Sequence, residues 1–222
     1  MTVDDDPKTR RSQEQRRRAT TNKLIDATIE VVNESGYSGL KASTITKRAG
    51  VTWGAVQHLF GNKENLLITV ANRTYEELSL ALRADISTES ALEDRVGQII
   101  EVTLRAYQTE AYLAMVEILR GSRAHEAFNK ELLKRQRMVS EDVRNTWLAL
   151  FSNSGHDDAT IDRAMNLVTL TLSGLAARKI FLKGNRGTDE IVTTLKYATL
   201  CVLEQEANPQ AHRKPEETPL IL

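Results

Sequence analysis

The 222-residue chain has one cysteine, Cys201, so no disulfide can form within it, which fits a reducing compartment. Its N-terminus opens on Asp4, Asp5 and Asp6 with no apolar segment, unlike a signal peptide. No apolar run is long enough to span a bilayer, so a membrane partner is not expected and the cytosol is the default location. There is no Gly-rich phosphate loop and no Ser, His and Asp grouping that spacing identifies. His58, His125, His156 and His212 are scattered without metal-ligand spacing. No catalytic residue, metal or cofactor is therefore expected, and the chain does not read as an enzyme. Net charge is also missing, with 30 basic against 30 acidic residues, so the overall balance does not point to nucleic acid.

One local absence carries more. No Asp or Glu occurs from Ser35 through Lys63, while Lys41, Lys47, Arg48 and Lys63 do. An acid-free window suits a surface that faces phosphates. Within it, Lys41 to Phe60 (KASTITKRAGVTWGAVQHLF) splits at Gly50 into two short helical patterns. Ala42, Ile45 and Ala49 share one face of the first, and Val51, Ala55, Val56 and Leu59 one face of the second. Gly50 can take the left-handed conformation that ends a helix, and Thr52 can cap the next through its hydroxyl. Two short helices joined by such a turn make a helix-turn-helix.

The stretch Leu24–Leu67, and above all GVTWGAVQHLFGNKENLL from Gly50, resembles the DNA-binding head of the TetR family of one-component transcriptional regulators. The matching residues are Gly36-Tyr37, Ile45, Ala49-Gly50-Val51, Gly54, Phe60, Lys63-Glu64 and Leu66-Leu67. The resemblance implies an all-α fold. A three-helix helix-turn-helix head is joined by a long helix to a larger helical body that dimerises and binds a small-molecule effector. The chain departs from the family pattern at Lys41, Thr46 and Gln57, so base reading is argued from the residues themselves.

With Val51, Val56, Leu59 and Phe60 turned inward, Trp53, Gly54, Gln57 and His58 of the second helix point mostly outward, with Ala55 at the edge. Gln57 can make a two-point contact to adenine, and Ala55 can meet a thymine methyl. Gly54 permits close backbone approach. Trp53 offers an apolar face and one N–H to a thymine methyl or a phosphate. Lys41, Ser43, Thr52, His58 and Lys63 are the expected phosphate contacts. Lys63 near a helix start opposes the macrodipole, an anomaly that an arriving phosphate removes.

The rest of the chain reads as helices, about nine in all. Residues 1–11 are expected to form a flexible arm, with a helix from the Ser12-Gln13-Glu14-Gln15 capping box to Ser35. Lys8–Arg18 holds six basic residues against Glu14 alone, and Arg16, Arg17 and Arg18 can reach phosphates or a minor groove, or form a solvated charge run. The DNA-binding domain is placed at 12–62 and the effector and dimerisation domain at 63–206. A long helix runs from Lys63 to about Asp85, a capping box at Ser90 opens the next, and Glu110–Arg120 ends at a Gly121-Ser122 break. A pattern reaching Phe151 and a nearly all-round apolar helix at Ala159–Lys183 follow. The last helix is expected from the Thr188-Asp189-Glu190 cap. Excess apolar surface on the two last helices implies a homodimer through Val168, Leu172, Leu175, Ala176, Leu195, Thr199 and Val202. Tyr107, Tyr112, Met115, Leu119, Phe128, Met138 and Trp147, with Arg105, are candidate effector contacts. Residues 207–222 are expected to be disordered. The resulting expectation is a ligand-responsive repressor that binds a palindromic duplex operator. The alternatives are a regulator controlled by a partner protein and a helical ligand-binding scaffold without DNA activity.

Overall fold

The computed structural model describes residues 7–181 and 187–204, with side chains from 13 to 178 and from 187 to 204. Residues 1–6 of the expected arm and the tail 207–222 lie outside the described residues. The order is α1 (Pro7–Ser35), a 3-10 turn (Tyr37–Gly39), α2 (Ala42–Ala49), α3 (Trp53–Phe60) and α4 (Lys63–Asp85). Then come α5 (Leu92–Tyr107), α6 (Glu110–Ser122), α7 (Glu126–Leu150), α8 (Asp158–Phe181) and α9 (Thr188–Glu204). The fold is all-α, as expected.

Two boundaries differ from expectation. α1 starts at Pro7 rather than at Ser12, so residues 7–11 are helical and the Ser12 capping box lies inside the helix. Proline is favoured in a first helical turn, and the Arg, Gln and Glu that follow are good helix formers, so a serine among them does not end the helix. α6 likewise runs through Gly121 to Ser122. The Ser122 hydroxyl donates back to the Leu119 carbonyl at 2.9 Å, satisfying itself inside the helix.

The described chain forms two compact units, and their boundary does not follow the division expected at residue 62. The first joins the residues up to Ala81 with Leu104–Val143. There α1 packs on α2, α3 and α6, burying Leu24, Thr28, Val31 and Val32 together with Ile45 and Val56 to within 1% exposure. Asn33 Nδ2 donates to the Glu110 carbonyl at 3.0 Å and to its carboxylate at 2.7 Å, tying α1 to the start of α6. At the far end of α6, Gly121 faces Tyr37 so closely that a Cβ added there would lie 2.0 Å from Tyr37 Cγ. Gly121 is therefore a close-approach residue, not a helix break. Tyr107 and Tyr112 stack at 4.3 Å, and Gln136 Nε2 reaches the Ala71 carbonyl at 3.2 Å.

The second unit comprises Leu82–Thr103 and the chain from Arg144 onward. Arg95 is its polar hub, 4% exposed. Its guanidinium donates to the carbonyls of Leu150 at 2.8 Å and Ser90 at 2.9 Å, to the Thr88 carbonyl, and to Asn153 Oδ1 at 2.9 Å. It also lies 5.8 Å from the Phe151 ring centroid. These bonds tie together the α4–α5 loop, α5 and the end of α7. Asp157 caps α8, accepting from Thr160 N at 2.8 Å, and Arg144 grips Asp162 with two bonds at 2.7 and 2.8 Å. α8 packs on α9.

Candidate nucleic-acid interface and body sites

The head presents its second helix through a short turn. α2 ends at Gly50, whose φ of 66° and ψ of 34° are left-handed, and whose N–H turns back to the Lys47 and Thr46 carbonyls. A residue with a Cβ is strained there. Thr52 precedes α3 in extended conformation, but its hydroxyl does not cap the helix, contrary to the expectation from sequence. Lys41, at the matching position before α2, makes no side-chain cap either. Thr52, Gly54, Gln57 and His58 are exposed, as are Lys41 and Ser43, while Trp53 and Ala55 are half-buried. Val56, at 0% exposure, anchors α3 to the core. One face of α3 is thus held by the head, and the other offers an amide, an imidazole and a bare backbone stretch.

The cations differ in availability. Arg48 donates to Glu30 at 2.9 Å and to Glu34 at 2.9 and 2.6 Å. The hydrogen bond from Arg48 holds the Glu34 carboxyl below its usual range, and the two carboxylates push the guanidinium further up. The window lacks acids along the chain, yet α1 supplies two in space, so Arg48 works as a strut between α1 and α2. Lys63 is half-buried, and its ammonium donates to the Leu40 carbonyl at 3.3 Å. That bond explains the lysine at the start of α4 without a phosphate, although an ammonium carries further donors.

The family model for bacterial regulatory proteins of the tetR family matches residues 24–70, the segment that carries these helices. Residues 24–70 carry the N-terminal segment of the TetR family of transcriptional regulators. The chain is 25% identical over 177 residues to the transcriptional regulator CymR of Pseudomonas putida, covering 78% of this chain and 86% of that one. Matches to other curated relatives span 48% and 55% of those proteins' own length. Among solved structures, a putative TetR-family regulator from Mesorhizobium loti superposes with a TM-score of 0.67 at 14% identity, over 86% of this chain and 98% of that one. The regulator FadR of Bacillus subtilis, solved with stearoyl-CoA, does so with a TM-score of 0.63 at 20% identity, over 82% and 96%. At these identities the structures share the fold.

The effector candidates chosen from sequence separate in the structure. Tyr107, Tyr112, Met115 and Phe128 are buried in the first unit, and Leu119 is half-buried there. Arg105 and Met138 are exposed, Met138 by 58%, so Met138 does not line an interior site. Trp147 belongs to the second unit, where it stacks on Phe151 at 5.8 Å. That unit also holds a cleft of about 360 Å³ lined by Arg83, Ile86, Thr88, Asn145, Thr146, Ala149 and Leu150. None of the residues chosen from sequence lines it. Three buried atoms in the same unit, Trp147 Nε1, Gln98 Oε1 and Arg95 Nε, have no hydrogen-bond partner among the described residues. Helical periodicity marks Trp147 as inward but gives no sign that its N–H is unsatisfied.

The interface candidates require correction. Val168, Leu172, Leu175, Ala176, Leu195 and Thr199 are all at most 8% exposed within a single chain, so they are already covered before any partner arrives, and Val202 is half-buried. The apolar side chains left outside are Leu170 at 71% and Tyr197 at 67% exposure. Gly174 and Cys201, one helical turn further on, are exposed with them. A helix apolar on both faces does not reveal in sequence which face its own chain will use. Among the described residues no group of His, Cys, Asp and Glu could hold a metal ion, and no helix is long and apolar enough to cross a membrane.

Proposed function

We propose that this chain is a ligand-responsive repressor that binds a palindromic operator as a homodimer and is released by a small-molecule effector. The observation that carries the DNA half is the exposed face of α3. Thr52, Gly54, Gln57 and His58 stand clear of a head whose Ile45 and Val56 are fully buried. Gln57 reads a base edge and Lys41, Ser43 and Thr52 meet phosphates. Dimerisation is assigned to the outer face of α8 and α9, with Leu170, Gly174, Tyr197 and Cys201 in place of the buried set. Two heads on one two-fold axis match half-sites about one helical turn apart, ~34–36 Å.

Effector control is supported by the stearoyl-CoA found in the B. subtilis relative of this fold. It is supported also by the unpartnered Trp147 N–H and Gln98 carbonyl oxygen, buried polar atoms that a ligand can satisfy. A ligand releases DNA only by as much as it prefers the DNA-incompetent state, and the coupling is reciprocal. The test begins with selection of bound duplexes from a random pool and a screen of metabolites for release. The recovered ligand is then titrated by calorimetry with and without operator. The expected result is a ligand affinity weakened by operator by the same factor as ligand weakens operator binding. An unchanged ligand affinity rejects the release mechanism.

A further inference from the structure

The N-terminal half of α1 is not used by the head. Among the described side chains of that helix Leu24 is the first buried one, and every residue from Gln13 to Ala19 is exposed. At its other end α1 is held to α6 by Asn33, with Tyr37 just beyond it against Gly121, so residues 7–23 leave from the end away from α6. They contain seven basic residues against Glu14 alone. Glu14 is itself bonded to Arg18 at 3.0 Å. Arg16 and Arg17 make no ion pair among the described residues. Successive positions on a helix are 100° apart, so the charge covers a wide arc, and no apolar stripe exists.

Such a segment cannot support itself by packing. A helix polar all round with no tertiary contact is marginal at this length. Its first turn has no acid, so its cations oppose the macrodipole as well. A polyanion reverses both terms, because phosphates neutralise the cations and accept from the free N–H groups of the helix start. A membrane surface fits less well, since interfacial helices need an apolar face.

We infer that residues 7–23 are a second DNA-contacting element, a basic helical extension of α1 that lies along phosphates flanking the sequence read by α3. The inference rests on the DNA-binding reading above and extends it. At 1.5 Å per residue the extension is about 25 Å long, enough to span roughly seven base-pair steps measured along the duplex axis.

The experiment uses the full chain and a palindromic duplex recovered by selection, in a minimal form and with ten flanking base pairs of arbitrary sequence on each side. The unmodified protein should bind the flanked duplex more tightly, with a steeper salt dependence. In the triple variant Arg16→Ala, Arg17→Ala, Arg18→Ala, that preference should vanish, and the log–log salt slope should fall by about 0.9 for each phosphate no longer neutralised. Amide exchange across residues 13–20 should be fast in the free protein and slow on the flanked duplex. Three results overturn the inference: equal affinity of the unmodified protein for both duplexes, a triple variant that keeps the preference, or tighter binding to anionic phospholipid vesicles than to the flanks. Failure of the unmodified protein to bind either duplex would instead overturn the DNA-binding reading.

Discussion

The packing of Gly121 against Tyr37 sets two opposing energies against each other at one position. In a solvent-exposed helix, Gly121→Ala would gain about 1 kcal/mol from helix propensity. Here the added methyl would lie 2.0 Å from Tyr37 Cγ, 2.3 Å from its Cβ and 2.5 Å from Cδ1. The Cβ contact matters most, because rotation about χ1 swings the ring away but leaves Cβ in place. The backbone of α6 or of the 3-10 turn must then move. Overpacking of this kind costs about 1–3 kcal/mol, enough to cancel or exceed the propensity gain. In a Tyr37→Gly background all three clashing atoms are gone, and Gly121→Ala should stabilise by about 1 kcal/mol. The difference between the two backgrounds is a coupling of about 1–3 kcal/mol, measured by urea denaturation of the four proteins of the double-mutant cycle. Equal stabilisation by Gly121→Ala in both backgrounds would refute the close approach of α6 to the head.

Other outcomes follow from the site and the seams. Gln57→Ala should relax specificity at one position of each half-site, at ~1–3 kcal/mol there. Lys41→Ala should weaken binding to all duplexes alike, and competition binding with single-base operator variants separates the two patterns. Leu170→Glu and Tyr197→Glu should yield folded monomers in sedimentation experiments. Leu172→Glu, which places an unpaired charge at a fully buried position of α8, should lose several kcal/mol of stability. Tyr107 is 4% exposed, and burial, with Tyr75 and Tyr112 nearby, pushes its phenol far above the ordinary 10.0. Above pH 10 the unfolded chain loses this proton while the folded chain keeps it. Stability from this group is therefore full below pH 10 and falls above it, by at most about 1.4 kcal/mol per pH unit. Tyr107→Phe should make the decline between pH 10 and 11 shallower, as read from denaturation midpoints.

The sequence makes the head legible because its signals are local. Gly50 marks a left-handed turn, Ile45 and Val56 mark inner faces, and the structure places each accordingly. Failures occur where one signal has two physical meanings. Gly121 reads as a helix stop but serves as a cavity for a ring supplied from far away in the chain. Ser12 begins a capping box by pattern, yet nothing there forces the preceding residues out of the helix. Arg48 lies in a window without acids along the chain, yet the third dimension brings Glu30 and Glu34 beside it. Leu172 and Leu170 are both apolar residues of α8, and only the packing of the surrounding helices decides which is buried. Unsatisfied atoms such as Trp147 Nε1 leave no trace in sequence, because they are defined by what fails to approach them.

The way α3 is mounted has a consequence for how such a regulator can change over time. Among the residues of α3, Val56 alone is fully buried, whereas Gly54, Gln57 and His58 face outward. Mutations at those outward positions can explore new operator sequences with little penalty to folding, since surface substitutions usually stay within about 0.5 kcal/mol. After gene duplication, two copies can therefore diverge in the promoters they recognise while keeping the same body. Changes at Val56, at the half-buried Trp53, Ala55, Leu59 and Phe60, or at the turn that sets the angle of α3, would demand compensation elsewhere.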